Sequence, residues 1–547
     1  MTVVTGFLKA EGKKLVNGNG QEMLLRGVGL GSWLLPEGYM WCFPDAGDRP
    51  RRIERMIQDL VGEKRAAAFW ETYYENYIAK ADIKAIQADG FNSVRVPINA
   101  RFLMENEEPL RFHEGHIALL DRVITWCREA SLYVVLDLHG APGGQTGTNI
   151  DDSENDKPEL FMDERNQQMT IALWRMLAER YKDEWIVAGY DLLNEPLPDW
   201  FDQYNDQVMP LYKKIIQAIR EVDDRHMIIL EGVHWATDWS IFTEIPDNNV
   251  MLQFHKYWNN PDTESIQAFL DKRDELNVPI FMGEGGENNC DWFAGAFRMY
   301  EDHDISWNFW TWKKLHCTNS PYSVRLPAGW SSLVEYLEGG AKPSQASSEQ
   351  ILWEYLENLK FSNCDYQPQV VNALFRRPAI RIPAIFYGYR GEGVSFMVKM
   401  RHEHGLGFRE RDGTDIRFVD KGTRAKPNFQ HMKGEEWQAD EWLYVRLHEN
   451  EWLTYEFTLR EAQVIHADYR LRSVGGHLLI SINDQLTEVA ASSADEWETV
   501  RMPLMIEGKK GVNKIEIKGQ KQHPIDVQWI LLTPADGLAV DKVGHRS

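Results

Sequence analysis

Cysteine is scarce in this chain of 547 residues: Cys42, Cys127, Cys290, Cys317 and Cys364 lie far apart and are odd in number. No C-x-x-C pair occurs, so the spacing of a structural zinc site is missing and a dense disulfide framework is excluded. Positive charge is also short. Lys plus Arg total 60 against 83 Asp plus Glu, a formal charge of −23. Such a surface repels phosphate backbones and anionic lipid heads, so neither nucleic acid nor membrane is an expected partner. No run of 18 apolar residues is present, and the first residues, MTVVTGFLKAEGKKLV, lack the apolar core of a signal peptide. The expectation is a reduced, cytoplasmic protein, or a secreted one if a leader has been removed.

Aromatic residues, by contrast, are plentiful: 21 Trp, 20 Tyr and 23 Phe. Hydrophobic residues at 43% and charged ones at 26% are ordinary for a folded soluble protein, which rules out wholesale disorder. Tryptophan at this density exceeds what packing needs. Flat apolar faces with one polar handle suit sugar rings, which present C–H groups on one side.

Eight short apolar runs alternate with longer amphipathic stretches over the first 315 residues. They are MLLRGV (23–28), FNSVRVPI (91–98), YVVLDLH (133–139), VAGYDLLNE (187–195), MIILEG (227–232), VMLQFHKY (250–257), VPIFMGE (278–284) and ISWNFWTW (305–312). Each has the length and branched or aromatic content of a strand buried on both faces. Between them, segments such as HIALLDRVITWCREA carry apolar residues at helical steps, and Gly90 stands where a C-terminal cap belongs. This count predicts an α/β protein with a (β/α)₈ barrel. A doubly wound sheet would want a Gly-rich phosphate loop after the first strand, and GVGLGSWLLPEG matches that fingerprint poorly. Near residue 365 the texture changes to short alternating strands separated by GG, ND and GKKG. The reading is a barrel domain over 1–364 and an antiparallel β-sandwich of jelly-roll type over 365–547.

Barrel active sites are built where the strands end. The second run carries Arg95, the third ends in Asp137 and His139, and the fourth in Asn194 and Glu195. The sixth offers His255 and Tyr257, the seventh Glu284, and the eighth Trp307, Trp310 and Trp312. Strands four and seven face each other across a barrel mouth, so Glu195 and Glu284 can converge. Cleaving a glycosidic bond with retention needs two such carboxyls roughly 5–5.5 Å apart, one to protonate the leaving oxygen and one to attack the anomeric carbon. Arg95 and the Tyr257 hydroxyl are candidates to hold Glu284 charged and aimed as the nucleophile. Glu195 then keeps its proton and serves as acid, then base.

The motifs GFNSVRVP (90–97), VVLDLHGAPGGQTG (134–147), LLNEP (192–196), FHKYW (254–258), MGEGG (282–286) and WNFWTWK (307–313) are similar to those of the family-5 glycoside hydrolases, the cellulase family. The resemblance spans roughly residues 15–340, and the DLHGAPGGQTG stretch looks most like the exo-β-1,3-glucanase branch. It implies that Arg95, His139, Asn194, Glu195, His255, Tyr257, Glu284 and Trp310 occupy the family's functional positions. Glu195 is implied as acid/base and Glu284 as nucleophile. Asn194 would bond the sugar 2-hydroxyl, His139 would contact the sugar, His255 would adjoin the acid/base and Trp310 would floor the cleavage point.

The implied function is a retaining β-glycoside hydrolase, exo-acting on β-1,3-glucan-type oligosaccharides or glycosides, with no cofactor or metal. The alternatives are an endo-β-1,4-glucanase or other β-glycosidase of the family, or a barrel that binds glycan without cutting it. A metal-dependent barrel hydrolase would need an early His-x-His, which MLLRGV does not supply. Glu37, Asp151, Asp152, Trp200, Trp235, Trp239, Trp258 and Glu287 are further candidates to shape the pocket. The C-terminal segment resembles carbohydrate-binding modules of the jelly-roll type, and a supporting role is its alternative.

Overall fold

The eight apolar runs form eight parallel strands that close into a barrel: β1 (Arg26–Gly29), β2 (Ser93–Asn99), β3 (Tyr133–Gly140), β4 (Val187–Asp191), β5 (Met227–Glu231), β6 (Val250–His255), β7 (Ile280–Gly286) and β8 (Ser306–Trp310). Each strand pairs with the next in sequence, and β8 returns to β1. The structure is a computed structural model that describes residues 3–535 apart from 108, 421, 423, 484, 493, 494, 504, 521 and 522. Strands β2, β3 and β7 are buried at every position. That burial explains their largely apolar texture: side chains facing inward fill the barrel, and those facing outward lie beneath helices. The barrel expected from the sequence is therefore present.

Helices follow most of the strands, among them Glu114–Ala130 after β2, Glu164–Tyr181 after β3 and Asn205–Arg220 after β4. The helix Lys80–Asp89 ends at Gly90, whose φ of +95° lets its N–H turn back to the Gln87 carbonyl. Three strands stop two or more residues earlier than their apolar texture suggests, among them β8, which ends at Trp310 although its run continues to 312. β4 leaves the ladder after Asp191 and β6 after His255, so 192–195 and 256–257 lie outside the strands. Among the described residues, no helix is long and apolar enough to cross a membrane. All five cysteines are free thiols.

The chain divides into two compact units. One comprises 1–256, 269–286 and 305–366; the other comprises 257–268, 287–304 and 367–547. Among its described residues, the second unit holds the helices Cys290–Asp302 and Pro368–Leu374 and two antiparallel sheets of seven and five strands. Their strands alternate in burial, as in Trp452–Leu459, where Leu453, Tyr455 and Phe457 are buried, and in Gln463–Arg472, where Ile465, Ala467, Tyr469 and Leu471 are. One apolar face per sheet is the pattern of a sandwich.

Candidate active site

Arg95, fully buried in mid-strand on β2, organises the barrel mouth. A guanidinium without water needs partners for its fork of donors. Nε donates to Asp191 Oδ2 at 2.9 Å, and Nη2 to Asn194 Oδ1 at 2.8 Å and Glu231 Oε1 at 3.1 Å. Nη1 lies 3.2 Å from Asp137 Oδ2 and donates a short bond to Glu284 Oε1. Gln253 on β6 closes the ring. Its Nε2 donates to Asp191 Oδ2 at 3.0 Å, makes a short bond to Glu231, and sits 3.0 Å from His255 Nε2.

Glu195 is placed by strained backbone. Its φ is +45° and that of Leu197 is +57°, conformations that cost a non-glycine residue about 1–3 kcal/mol unless the surroundings enforce them. The Glu195 N–H donates to Glu231 Oε2 at 2.7 Å, and Gln145 Nε2 donates to the Asn194 carbonyl at 2.9 Å and to the His139 carbonyl at 2.7 Å. These bonds hold the turn. On the facing side, the ladder between β6 and β7 slips between Phe254 and His255, which brings His255 into register with Glu284.

The two glutamates meet at His255. Its Nδ1 is 2.6 Å from Glu195 Oε1 and 3.7 Å from Glu284 Oε2, and the ligand-type atoms of the three residues all lie within 4.8 Å of one another. Burial pushes the Glu195 carboxyl up to about 7, with the His255 charge pulling the other way. Burial also opposes a charge on His255, but the carboxylates of Glu231, Glu284 and Glu195 outweigh it and raise the imidazole well above its ordinary value.

His139 behaves oppositely. Burial drives it down to about 3, so the ring is neutral. Its Nδ1–H donates to Asp137 Oδ2 at 2.7 Å, which leaves Nε2 an acceptor 3.4 Å from Asn194 Nδ2 and 4.0 Å from Glu37 Oε1. The imidazole lies parallel to Trp310, with ring centres 5.4 Å apart. Trp310 donates through Nε1 to the Tyr39 hydroxyl at 2.7 Å. A Cβ on Gly29 would fall 2.6 Å from the Trp310 ring and one on Gly31 2.8 Å from it. Gly29 and Gly31 of GVGLGSW therefore serve close approach to an indole.

The remaining candidates divide. Glu37 is buried beside His139. Asp151 braces its own loop, accepting from the backbone N–H groups of Thr146 and Ser153, and Asp152 accepts from Arg51 N, Asn99 Nδ2 and Arg101 Nε. Trp239 is a core residue whose indole donates to the Gln253 carbonyl. Trp235 stands edge-on to the exposed Trp200 at 5.2 Å. Tyr257, Trp258 and Glu287 belong to the second unit, where Asn288 Nδ2 donates to the Tyr257 carbonyl and Trp258 Nε1 to the Glu287 carbonyl. Sequence reasoning missed Tyr39, Gln145, Asp191, Glu231 and Gln253. A signal existed for the last three: a charged or amide residue inside a strand buried on both faces has to be paired.

Among the described residues three triads bring metal-ligating atoms within 4.8 Å: His402 with Asp415 and His448 in the second unit, and, in the barrel, Asp137 with His139 and Glu284, and Glu195 with His255 and Glu284. Arg95 already bonds Asp137 and Glu284, and the raised imidazole of His255 lies against Glu195 and Glu284. The protein thus supplies the positive charge there itself, and that charge opposes a divalent ion.

Residues 59–316 match the family model described as Cellulase (glycosyl hydrolase family 5). The chain is 31% identical over 286 residues to a probable glucan 1,3-β-glucosidase A of Emericella nidulans, covering 49% of this chain and 68% of that protein. It is 32% identical over 253 residues to a β-xylosidase of Phanerodontia chrysosporium, covering 46% and 52%, and 28% identical over 245 residues to a probable glucan 1,3-β-glucosidase A of Aspergillus clavatus, covering 44% and 57%. The chain spans just over half the length of the last two. It belongs to glycosyl hydrolase family 5.

Proposed function

We propose that the barrel hydrolyses β-glycosidic bonds with retention of anomeric configuration. The observation that carries this reading is the separation of the glutamates. Carboxylate oxygens of Glu195 and Glu284 come within 4.8 Å, in keeping with the roughly 5–5.5 Å spacing of retaining enzymes rather than the roughly 6.5–9.5 Å that leaves room for a water. Arg95, which cannot give up its proton, bonds Glu284 and keeps its carboxylate charged for attack on the anomeric carbon. Glu195 gives its proton to the departing glycosidic oxygen as that bond breaks. The resulting carboxylate then takes a proton from water, whose oxygen displaces Glu284 from the sugar and restores both carboxyls.

Asn194 has its carbonyl oxygen committed to Arg95, which fixes Nδ2 as a donor for a sugar hydroxyl. His139 and Trp310, stacked in parallel, form the wall and floor of this subsite in our reading. Exo action on β-1,3-linked glucosides is the finer assignment, supported by the DLHGAPGGQTG stretch and by relatives named glucan 1,3-β-glucosidases. The test is a panel of β-1,3- and β-1,4-linked oligosaccharides, xylobiose and aryl β-glycosides followed by ¹H NMR. We expect release of a β-anomer first, fastest from the non-reducing end of β-1,3-glucosides. An initial α-anomer sinks the retaining mechanism, and internal cleavage sinks the exo assignment.

A further inference from the structure

A cavity of about 590 Å³ opens in the barrel unit away from the two glutamates. The helices Pro50–Val61 and Glu63–Tyr77, the segment after β2 and the start of the helix Glu114–Ala130 enclose it. None of Arg95, His139, Asn194, Glu195, His255, Glu284 or Trp310 lines it. Its volume lies within the roughly 300–1,000 Å³ of small-molecule sites.

The wall is a ladder of rings. Trp70 and Tyr74, one helical turn apart, lie 5.9 Å from centre to centre at 28°. Tyr74 meets Phe102 at 4.6 Å, Phe102 faces His116 at 4.0 Å and 2°, and His116 faces His113 at 3.8 Å. All five rings line the cavity, and all except Phe102 remain partly open to solvent. The polar groups are mostly acceptors. Glu54, Glu71 and Glu75 stand in the wall, with Glu54 bonded to Arg101 at 2.9 Å and Glu75 to Arg122 at 2.9 Å. Burial lowers His116 below its ordinary value. With its Nδ1 bonded to the Phe102 carbonyl at 2.6 Å, the neutral ring keeps Nε2 as a further acceptor.

Each ligand class meets this wall differently. An anion is repelled by three carboxylates on a chain of charge −23. A wholly apolar ligand would strip water from the Glu54–Arg101 pair without replacing it. A cation finds the aromatic faces and the carboxylates, but Glu54 and Glu75 already hold the guanidinium groups of Arg101 and Arg122. A pyranose ring lays C–H groups on the aromatic ladder and gives its hydroxyl protons to carboxylate and imidazole acceptors.

We propose that this cavity is a second, non-catalytic sugar-binding site, sized for a neutral disaccharide and separate from the cleavage site. The test is ¹⁹F NMR on the full chain labelled with 5-fluorotryptophan, with the Trp70 and Trp310 signals assigned through Trp70→Phe and Trp310→Phe. The probes are cellobiose and laminaribiose analogues with sulfur in place of the bridging oxygen, so that turnover does not consume them. We expect the Trp70 signal to shift saturably with at least one analogue, to ignore choline, and to lose that shift in Ala67→Phe. Ala67 lines the cavity and is exposed, so the larger side chain fills space without removing a contact. A silent Trp70, an equal response to choline, or a shift that survives Ala67→Phe overturns the proposal. The Trp310 signal reports the other site independently. Movement there without movement at Trp70 removes the second site and leaves the proposed hydrolase reading intact, and the reverse pattern does the opposite.

Discussion

The imidazole of His255 holds Glu195 Oε1 at 2.6 Å, and the pair sets the proton inventory of the site. Burial lifts Glu195 to about 7, while the charge and hydrogen bond of His255 pull it down. A general acid works only while protonated, so kcat/KM is expected to fall as pH rises through about 7. His255→Gln removes the charge that lowers Glu195, so its pKa rises and the basic limb moves to higher pH. A limb that stays in place or moves to lower pH in that variant refutes the pairing.

Glu284→Ala removes the attacking group. Activity is expected to drop on the order of 10⁴-fold or more, as when a nucleophile is deleted. Azide fills the vacated space and attacks directly, giving a glycosyl azide of inverted configuration. The product's NMR coupling constants read the outcome; retained configuration contradicts the assignment.

Glu195→Gln keeps the shape and removes the proton. Natural disaccharides, whose leaving groups are poor, are expected to lose roughly 10²–10⁴-fold in kcat/KM. A 2,4-dinitrophenyl glycoside needs no protonation and is expected to lose much less. Equal losses for both substrates place the acid elsewhere.

Gly29→Ala pushes a methyl group toward the Trp310 ring, where the new carbon stands 2.6 Å from Cε3. Overpacking of this kind costs about 1–3 kcal/mol. We expect a lower melting temperature and a raised KM as the indole tilts. Unchanged kinetics and melting temperature count against the close-approach reading of this glycine.

Arg95→Met leaves Asp137, Asp191, Glu231 and Glu284 without the cation they share. Breaking a buried ion pair on one side costs about 3–5 kcal/mol. The barrel transition in urea is expected at a markedly lower midpoint. A variant as stable as the parent rules out the central role of this guanidinium.

The barrel was legible because its strands are buried on both faces, which leaves an apolar signature in runs such as YVVLDLH and VPIFMGE. Strand ends were less legible. VAGYDLLNE reads as one strand, yet the chain leaves the ladder after Asp191 because Gln145 and Glu231 capture the backbone of Asn194 and Glu195. Those captures join residues 36 and 49 positions apart, and no local pattern announces them. Glu195, Glu284, Asn194, His139 and His255 could be picked out as polar residues at the ends of the apolar runs, and Arg95 as a cation inside one. Asp191, Glu231 and Gln253 sit inside the apolar runs and drew no attention, although a buried charge or amide there already required a partner. Tyr39 was beyond reach, since its link to Trp310 spans 271 positions.

The Arg95 hub bears on how such a protein can change over time. Five side chains, Asp137, Asp191, Asn194, Glu231 and Glu284, lean on one guanidinium. A lone substitution among them strands its neighbours, so that layer tolerates no gradual drift. Descendants with new tastes in substrate must therefore arise by rewriting the rim loops, while the wheel of charges beneath is inherited whole.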